Sequence, residues 1–264
     1  MSYRLTILGC GSSTGVPRVG GDWGQCDPKN PKNRRRRSAA LVERRSGKGT
    51  TTVLIDTGPD LREQLIAAGT RHIDGVLYTH DHADHTHGID DLRMIAYTMK
   101  RRVPVWFDPI TRDSLLARFN YCFVTPLGST YPPILRGHDI EGNDPIGIEG
   151  EGGRVEAIPV LQHHGDIGSL GFRFGNVLYS PDISGLPEAS LPLLEGLDLW
   201  IVDALRYMPH PSHWTVGQAL EAIARVKPRR AILTHLHIDL DYEKLRRELP
   251  ANVEPAYDGM VVDF

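Results

Sequence analysis

The feature that most restricts what this chain can become is the run Thr79-His80-Asp81-His82-Ala83-Asp84-His85-Thr86-His87-Gly88, which follows directly on the apolar segment Gly75 to Tyr78. Four of the chain's twelve histidines fall inside it. A solvated loop has no reason to collect so many imidazoles, whereas a metal site does. In extended backbone, residues two apart point the same way, so His80 and His82 can share one ion. Asp84 and His85 follow as the chain turns into a helix expected to begin near Gly88, and they can face a second ion beside the first. The spacing predicts two metals.

The same arrangement, an apolar strand running into a potential ligand, recurs three times. Val155 to Val160 leads into Gln162-His163-His164-Gly165, Val177 to Tyr179 into Ser180-Pro181-Asp182, and Ala231 to Leu233 into Thr234-His235. Ligands in α/β sheets lie outside strand ends, where loops converge. Four such ends give seven ligands: His80, His82, Asp84, His85, one of the adjacent pair His163 and His164, Asp182 and His235. Further strands are expected at Tyr3 to Leu8, Ala39 to Arg44, Thr51 to Ile55, Pro104 to Phe107, Leu170 to Phe174 and Leu199 to Val202. Helical spacing runs through Ile89, Leu92, Ile95, Ala96 and Met99, and through Val216, Ala219, Leu220, Ile223 and Val226 before Pro228. Gly137 to Arg154 lacks apolar periodicity and reads as a surface connection. Strands alternating with amphipathic segments define an α/β layered chain, read as one domain over residues 1–264.

Composition excludes several classes. With 33 acidic and 30 basic residues the formal charge is -3, which does not suit a protein that coats nucleic acid. No stretch approaches the roughly 18 apolar residues that span a bilayer, and no signal-peptide core precedes Cys10. Three scattered cysteines, Cys10, Cys26 and Cys122, make no disulfide framework, so a reducing, cytoplasmic compartment is expected. Gly9-Cys10-Gly11-Ser12-Ser13-Thr14-Gly15 has the glycines of a dinucleotide fingerprint or a nucleophile elbow, but Val16-Pro17-Arg18-Val19-Gly20-Gly21 is not the helix that either needs. A plain glycine turn is expected there.

On these residues the sequence resembles the metallo-β-lactamase superfamily, whose signature is His-x-His-x-Asp-His followed by a His, an Asp and a His at later strand ends. The resemblance spans nearly the whole chain. It implies an α/β fold of the four-layer αββα sandwich type, with a dinuclear centre at one edge of the paired sheets. It assigns His80, His82 and His164 to one metal, Asp84, His85 and His235 to the other, and Asp182 to both, with Asp56 supporting the metal loop. His164 is preferred to His163 because relatives show His-Gly here ahead of a Gly-Phe strand, as in His164-Gly165 and Gly171-Phe172. Imidazole and carboxylate ligation without cysteine suits two divalent ions, Zn or Mn, with iron a third candidate. Such a pair makes water acidic enough to supply hydroxide near neutral pH, which is hydrolytic chemistry.

Pro211-Ser212-His213-Trp214-Thr215-Val216 resembles the His-containing segment of the superfamily's phosphodiesterase branches, and the Gly15-Val16-Pro17 turn with Tyr257-Asp258-Gly259-Met260 resembles the PhnP-like branch. The resemblance implies a phosphoric diester hydrolase acting on a small cyclic phosphate of a ribose or nucleotide. Asp84 and His213 are the catalytic candidates, and His213 also binds the phosphate and protonates the leaving oxygen. A phosphate could further sit on the free N–H groups of the helix that this segment opens. The bland reading makes Ser212 a helix cap and His213 an incidental surface residue. The type member of that branch has a Cys-x-Cys-x-x-Cys structural zinc site. Its positions here are Gly21, Trp23 and Cys26, with Ile238 for the fourth ligand, so this second zinc is not expected, although Cys26 and His237 could still meet. Arg34-Arg35-Arg36-Arg37 is either a solvated loop or a grip on a nucleotide phosphate. With no inserted arm to hold tRNA, a small-molecule phosphodiester or nucleotide is the expected partner, with no stable nucleic-acid complex and no membrane. A homodimer is carried by the resemblance alone. His72, His138 and His210 are left as surface or packing residues, and Arg206 and Tyr207 as residues that could reach the pocket. The rivals are a lactonase or glyoxalase-like thioester hydrolase, which needs no His213, and a catalytically silent nucleotide- or metal-binding protein.

Overall fold

A computed structural model describes residues 2–264. Among the described residues, fourteen strands form two seven-stranded sheets. The first, in the order β14-β1-β2-β3-β4-β5-β6, comprises Met260–Asp263, Ser2–Gly9, Ala39–Ser46, Gly49–Ile55, Gly75–Leu77, Val103–Phe107 and Leu135–Asp139. The second, β13-β12-β11-β10-β9-β8-β7, comprises Val253–Pro255, Arg230–Thr234, Leu199–Asp203, Val177–Ser180, Ile167–Phe174, Val155–His164 and Ile146–Ile148. Helices are α1 (Leu61–Ala67), α2 (Ala83–Thr86), α3 (Leu92–Met99), α4 (Pro109–Phe123), α5 (Val216–Val226) and α6 (Tyr242–Glu248).

Alternation along the strands produces the layers. Leu5, Ile7, Val42, Val53 and Ile55 face Ala157, Phe172, Phe174, Ile201 and Ile232 between the sheets. The opposite faces are apolar too: Leu41, Leu54, Val76 and Val105 pack on Leu61, Leu92 and Leu115 of α1, α3 and α4. Leu178, Trp200, Val202 and Leu233 pack on Val216, Ala219, Ile223 and Leu245 of α5 and α6. Sheets buried on both faces need helices on their outer sides. The result is the expected αββα sandwich.

Each sheet is antiparallel in one half and parallel in the other: β3 to β6 run parallel, as do β10 to β13. The carboxyl ends of those parallel strands supply Asp56, His80, Asp182, Asp203 and His235.

The ten expected strands all form, several of them longer than the sequence suggests. Two expectations change. Gly137 to Arg154 is not simply a connection, because it contains most of β6 and all of β7, the outermost strands of the two sheets. Edge strands pair on one side only, and in β6 Arg136, Gly137 and Asp139 are all exposed, so the alternation that marks a strand is lost. The helix expected near Gly88 does start there, as a 3-10 turn over Ile89–Asp91 that leads into α3, but Asp84 and His85 already lie in a separate short helix, α2, ahead of it. Among the described residues, no helix is long and apolar enough to cross a membrane.

Candidate metal centre

The structure gathers the seven residues into two overlapping groups. His80, His82, His164 and Asp182 form one, and Asp84, His85, Asp182 and His235 the other, each with ligand atoms within 4.8 Å of one another. Asp182 belongs to both because its two oxygens diverge. Oδ2 lies 3.9 Å from His80 Nε2 and 3.6 Å from His164 Nε2, while Oδ1 lies 3.1 Å from His85 Nε2 and 3.3 Å from His235 Nδ1. His85 Nε2 is also 3.4 Å from Asp84 Oδ2. Of the adjacent pair, His164 is buried and turned inward, its Nε2 3.3 Å from His82 Nδ1, whereas His163 is exposed.

Hydrogen bonds aim these rings. Asp56 Oδ1 accepts from the Thr79 N–H at 2.9 Å and Oδ2 from the Thr79 hydroxyl at 2.8 Å. The same Oδ2 takes the His85 Nδ1 proton at 2.6 Å, and Thr79 Oγ1 lies 3.0 Å from His80 Nδ1. His164 Nδ1 donates to the Ser212 carbonyl at 2.6 Å. With Nδ1 committed, each of these three rings presents a bare Nε2 lone pair, as metal-ligating histidines do. Asp81 points away between His80 and His82, where it accepts from the Ser114 hydroxyl of α4 at 2.5 Å.

Backbone strain collects here as well. Asp56 and His235 hold left-handed conformations, with φ of 64° and 57°, that only glycine adopts freely. Gly58 lets its loop lie directly on α2, since a Cβ there would stand 2.2 Å from the Asp84 carbonyl oxygen.

Three buried atoms in this cluster, His80 Nε2, His85 Nε2 and Asp182 Oδ1, have no hydrogen-bond partner. Buried polar atoms without partners are costly, and a cation between them would satisfy all three. The donor set therefore fits metal. Burial favours the protonated form of Asp182, but the imidazoles of His235 and His85 outweigh it and hold the carboxyl well below the usual range. It stays an anion, as a ligand must.

His213 completes the edge. Its ring stacks on His235 at 4.7 Å and meets His164 edge-on at 4.6 Å, with Nε2 3.9 Å from Asp182 Oδ2. Nδ1 is held by Asp203 Oδ2 at 2.7 Å. Burial opposes a proton on this ring, but the Asp203 carboxylate outweighs it and raises His213 to about 9. The bland reading of this segment does not hold, because the cap of α5 is Thr215 rather than Ser212, and His213 is buried against a carboxylate. A reciprocal box closes that helix: Thr215 Oγ1 accepts from the Gln218 N–H at 3.1 Å, and Gln218 Oε1 from the Thr215 N–H at 2.9 Å. The free N–H groups expected to cradle a phosphate are in part consumed.

Two residues escaped the sequence reading. Asp203 ends β11 as Asp182 follows β10, so the rule applied to the other strand ends would have found it. His210, left as a surface or packing residue, lies with its ring 5.1 Å from that of His213. His72 and His138 do lie apart, on Thr52 and Trp106.

The arginine run is mostly structural. Arg35 is buried and donates to the carbonyls of His237 and Leu240, Arg36 pairs with Asp258 at 3.0 Å, and Arg37 pairs with Asp60 at 2.9 Å. Only Arg34 stands exposed, over the Trp23 ring. Cys26 and His237 do not meet. The thiol donates to the Ile238 carbonyl at 3.3 Å within a small cluster of Val16, Trp23 and Ile238, while His237 turns to Arg18 and Asp239. Tyr207 is drawn away from the pocket onto Glu248 of α6.

Paired sheets between helices, with a histidine and aspartate cluster at one edge, define a metallo-β-lactamase-type protein. Residues 51–236 match the model of the Beta-lactamase superfamily domain. A solved diphosphatase of the PhnP family is 36% identical, with a TM-score of 0.89 over 100% of this chain and 98% of that one. The chain belongs to the metallo-β-lactamase superfamily and, within it, to the PhnP family. An octanoyltransferase of Porphyromonas gingivalis (strain ATCC BAA-308 / W83) is 32% identical over 262 residues, 97% of this chain and 51% of that protein. The chain thus spans about half the length of that curated relative. Zn2+-bound PqqB of Methylobacterium extorquens shares the fold, at 18% identity and a TM-score of 0.71, over 99% of this chain and 100% of that one.

Proposed function

We propose that this protein is a metal-dependent hydrolase that cleaves a phosphorus–oxygen bond in a small phosphodiester. The observation that carries the reading is His213, clamped at Nδ1 by Asp203 and presenting Nε2 to the edge of a cluster fit for cations. His80, His82, His164 and Asp182 would hold one divalent ion, and Asp84, His85, His235 and the shared Asp182 the other. The imidazole and carboxylate donors suit Zn or Mn. When bound, such ions make water acidic and offset charge on a phosphate.

The chain's own residues do the rest. His213 binds a phosphate oxygen through its Nε2 proton and passes that proton to the departing oxygen, and Asp203 keeps the ring oriented and charged. Asp56 and Thr79 hold His80 and His85 in register, and Ser212 holds His164. His82, the exposed member, stands at the mouth through which substrate enters. The finer reading is a cyclic phosphate of a ribose or nucleotide, whose leaving group is an alkoxide that needs a proton donor.

A second reading is favoured by the diphosphatase at 36% identity. A diphosphate linkage expels phosphate, a much better leaving group, and so depends less on His213. Assays of metal-loaded wild type and His213→Ala on a 2',3'-cyclic nucleotide and on a dinucleoside diphosphate separate the two. A large loss confined to the cyclic nucleotide supports the diester reading. Turnover of the diphosphate alone supports the second, and turnover of thioesters or lactones alone overturns both.

A further inference from the structure

His82 is the histidine of the centre whose ring the folded chain supports least. Thr79 and Asp56 aim His80 and His85, and the Ser212 carbonyl aims His164. The ring of His82 is exposed, and among the described residues its one contact within hydrogen-bond range is Nδ1 to His164 Nε2, at 3.3 Å. Two ligand nitrogens that face each other do not orient one another. The direction of this ring is therefore set by the main chain that carries it.

That main chain is gripped on both sides. Thr86 Oγ1, from within α2, donates to the His82 carbonyl at 2.8 Å. The peptide leading into His82 has the Asp81 carbonyl as its oxygen, and this accepts from Arg118 Nη2 of α4 at 2.7 Å. Arg118 lies one helical turn beyond Ser114, on the same face of the helix. Its Nη2 also donates to Ser114 Oγ at 2.8 Å, and Ser114 donates in turn to Asp81 Oδ2 at 2.5 Å. Asp81 is thus tied to α4 by its carbonyl and its carboxylate together. Arg118 Nη1 donates to His87 Nε2 at 3.2 Å, just past α2. Helix α4 is itself anchored by the buried Thr111, Leu115 and Cys122. Helix α2 is fastened from the other side by Thr57, whose N–H donates to the His85 carbonyl and whose carbonyl accepts from the Gly88 N–H, both at 2.7 Å. Neither helix depends on Arg118 for its place, so its contacts converge on the Asp81–His82 peptide.

We infer that Arg118 is a positioning residue for His82: from α4 it fixes the peptide on which that ring turns, and so tightens one ion, the one proposed for His80, His82, His164 and Asp182. The inference rests on the metal reading above.

The test titrates chelated full-length wild type, Arg118→Ala, Arg118→Lys and Arg112→Ala with Co2+, read by calorimetry and by its visible spectrum. Arg118→Ala is expected to bind one ion about tenfold more weakly and the other within about twofold of wild type, at the lower end for loss of a ligand's supporting partner. His164→Ala, which removes a ligand of that ion alone, identifies which of the two it is. Arg118→Lys keeps the charge and a donor and should recover part of the loss. Arg112→Ala strips pairs with Asp113 and Asp139 from the same helix and should bind both ions as wild type does. In the chelated protein, nitrogen-15 relaxation of the His82 amide reports the gripped peptide without any metal. Its order parameter should fall from about 0.85 in wild type to about 0.6 in Arg118→Ala, with the amides of β4 unchanged. Arg118→Gln carries the same comparison should the alanine variant not fold. Unchanged affinity for both ions, an equal loss at both, or an unchanged His82 amide would each overturn the inference. If wild type takes up no ion, the metal reading fails, and the amide alone decides whether Arg118 holds this peptide.

Discussion

His213 Nδ1 and Asp203 Oδ2 lie 2.7 Å apart at the end of β11, both buried beside the apolar layer under α5. A buried carboxylate on the far nitrogen of an imidazole fixes its tautomer and favours its cation. The pair is a charged lever whose free end, Nε2, faces the centre.

His213→Ala should lower kcat on a diester with an alkyl leaving group by about 10²- to 10⁴-fold. It should cost far less on an activated aryl ester that needs no proton. Asp203→Asn should follow the same pattern more weakly, since the ring remains but loses its counter-charge. Steady-state kinetics with the two leaving groups checks both, and equal losses on the two would remove the proton-donor role.

Removing metal should abolish turnover and destabilise the fold together. A ligand that binds only the native state stabilises it by about 2.7 kcal/mol at a hundredfold excess over Kd, so a chelated sample should melt earlier and recover on addition of Zn or Mn. Because Asp182 belongs to both groups, Asp182→Ala should retain less metal than His164→Ala. Elemental analysis beside calorimetric melting gives the answer, and full metal content in Asp182→Ala would refute a shared ligand.

Asp56 touches no proposed ion yet holds His85 and Thr79. Asp56→Ala should weaken metal affinity about 10- to 100-fold, as loss of a ligand's supporting partner does. Competition against a chromophoric chelator measures this directly. Unchanged affinity would reduce Asp56 to a packing residue.

The three cysteines are free and buried. Burial pushes the Cys122 thiol up to about 11, despite the relief offered by Arg93, and raises Cys10 well above its usual value. A raised thiol pKa keeps the reactive thiolate scarce until high pH, so at pH 8 about one Cys122 in a thousand is ionised rather than a quarter, as for an ordinary thiol. Native protein should therefore react slowly with disulfide reagents, without the rise near pH 8.5 of a free thiol. Guanidinium should release three equivalents, and prompt labelling of the native chain would contradict this burial.

The centre was legible because its chemistry is written into local spacing. His80 to His85 form one cluster, and His164, Asp182 and His235 each follow an unmistakable apolar strand. Asp203 was passed over because a lone aspartate at a strand end has no imidazole beside it to attract notice. His210 could not be placed because its loop is positioned by contacts with Arg206 and Ser212, not by any period of its own. The edge strands β6 and β7 carry weak alternation for the reason that they pair on one side. Helix α4 is hard to read because its inward positions are Thr111, Leu115 and Cys122 while Ile110 and Tyr121 face solvent, so no apolar stripe marks it. The fate of the four arginines depended on which carboxylates the fold would bring to them, information held by Asp60 and Asp258 far along the chain.

The proposed ligands come from opposite leaves of the sandwich: His80 to His85 follow β4 in one, while His164, Asp182 and His235 end strands of the other. Ions seated there would rivet the two leaves along a single seam. Prying the leaves apart and losing the ions would then be one event, so a chain starved of metal would forfeit its shape and its chemistry at the same place.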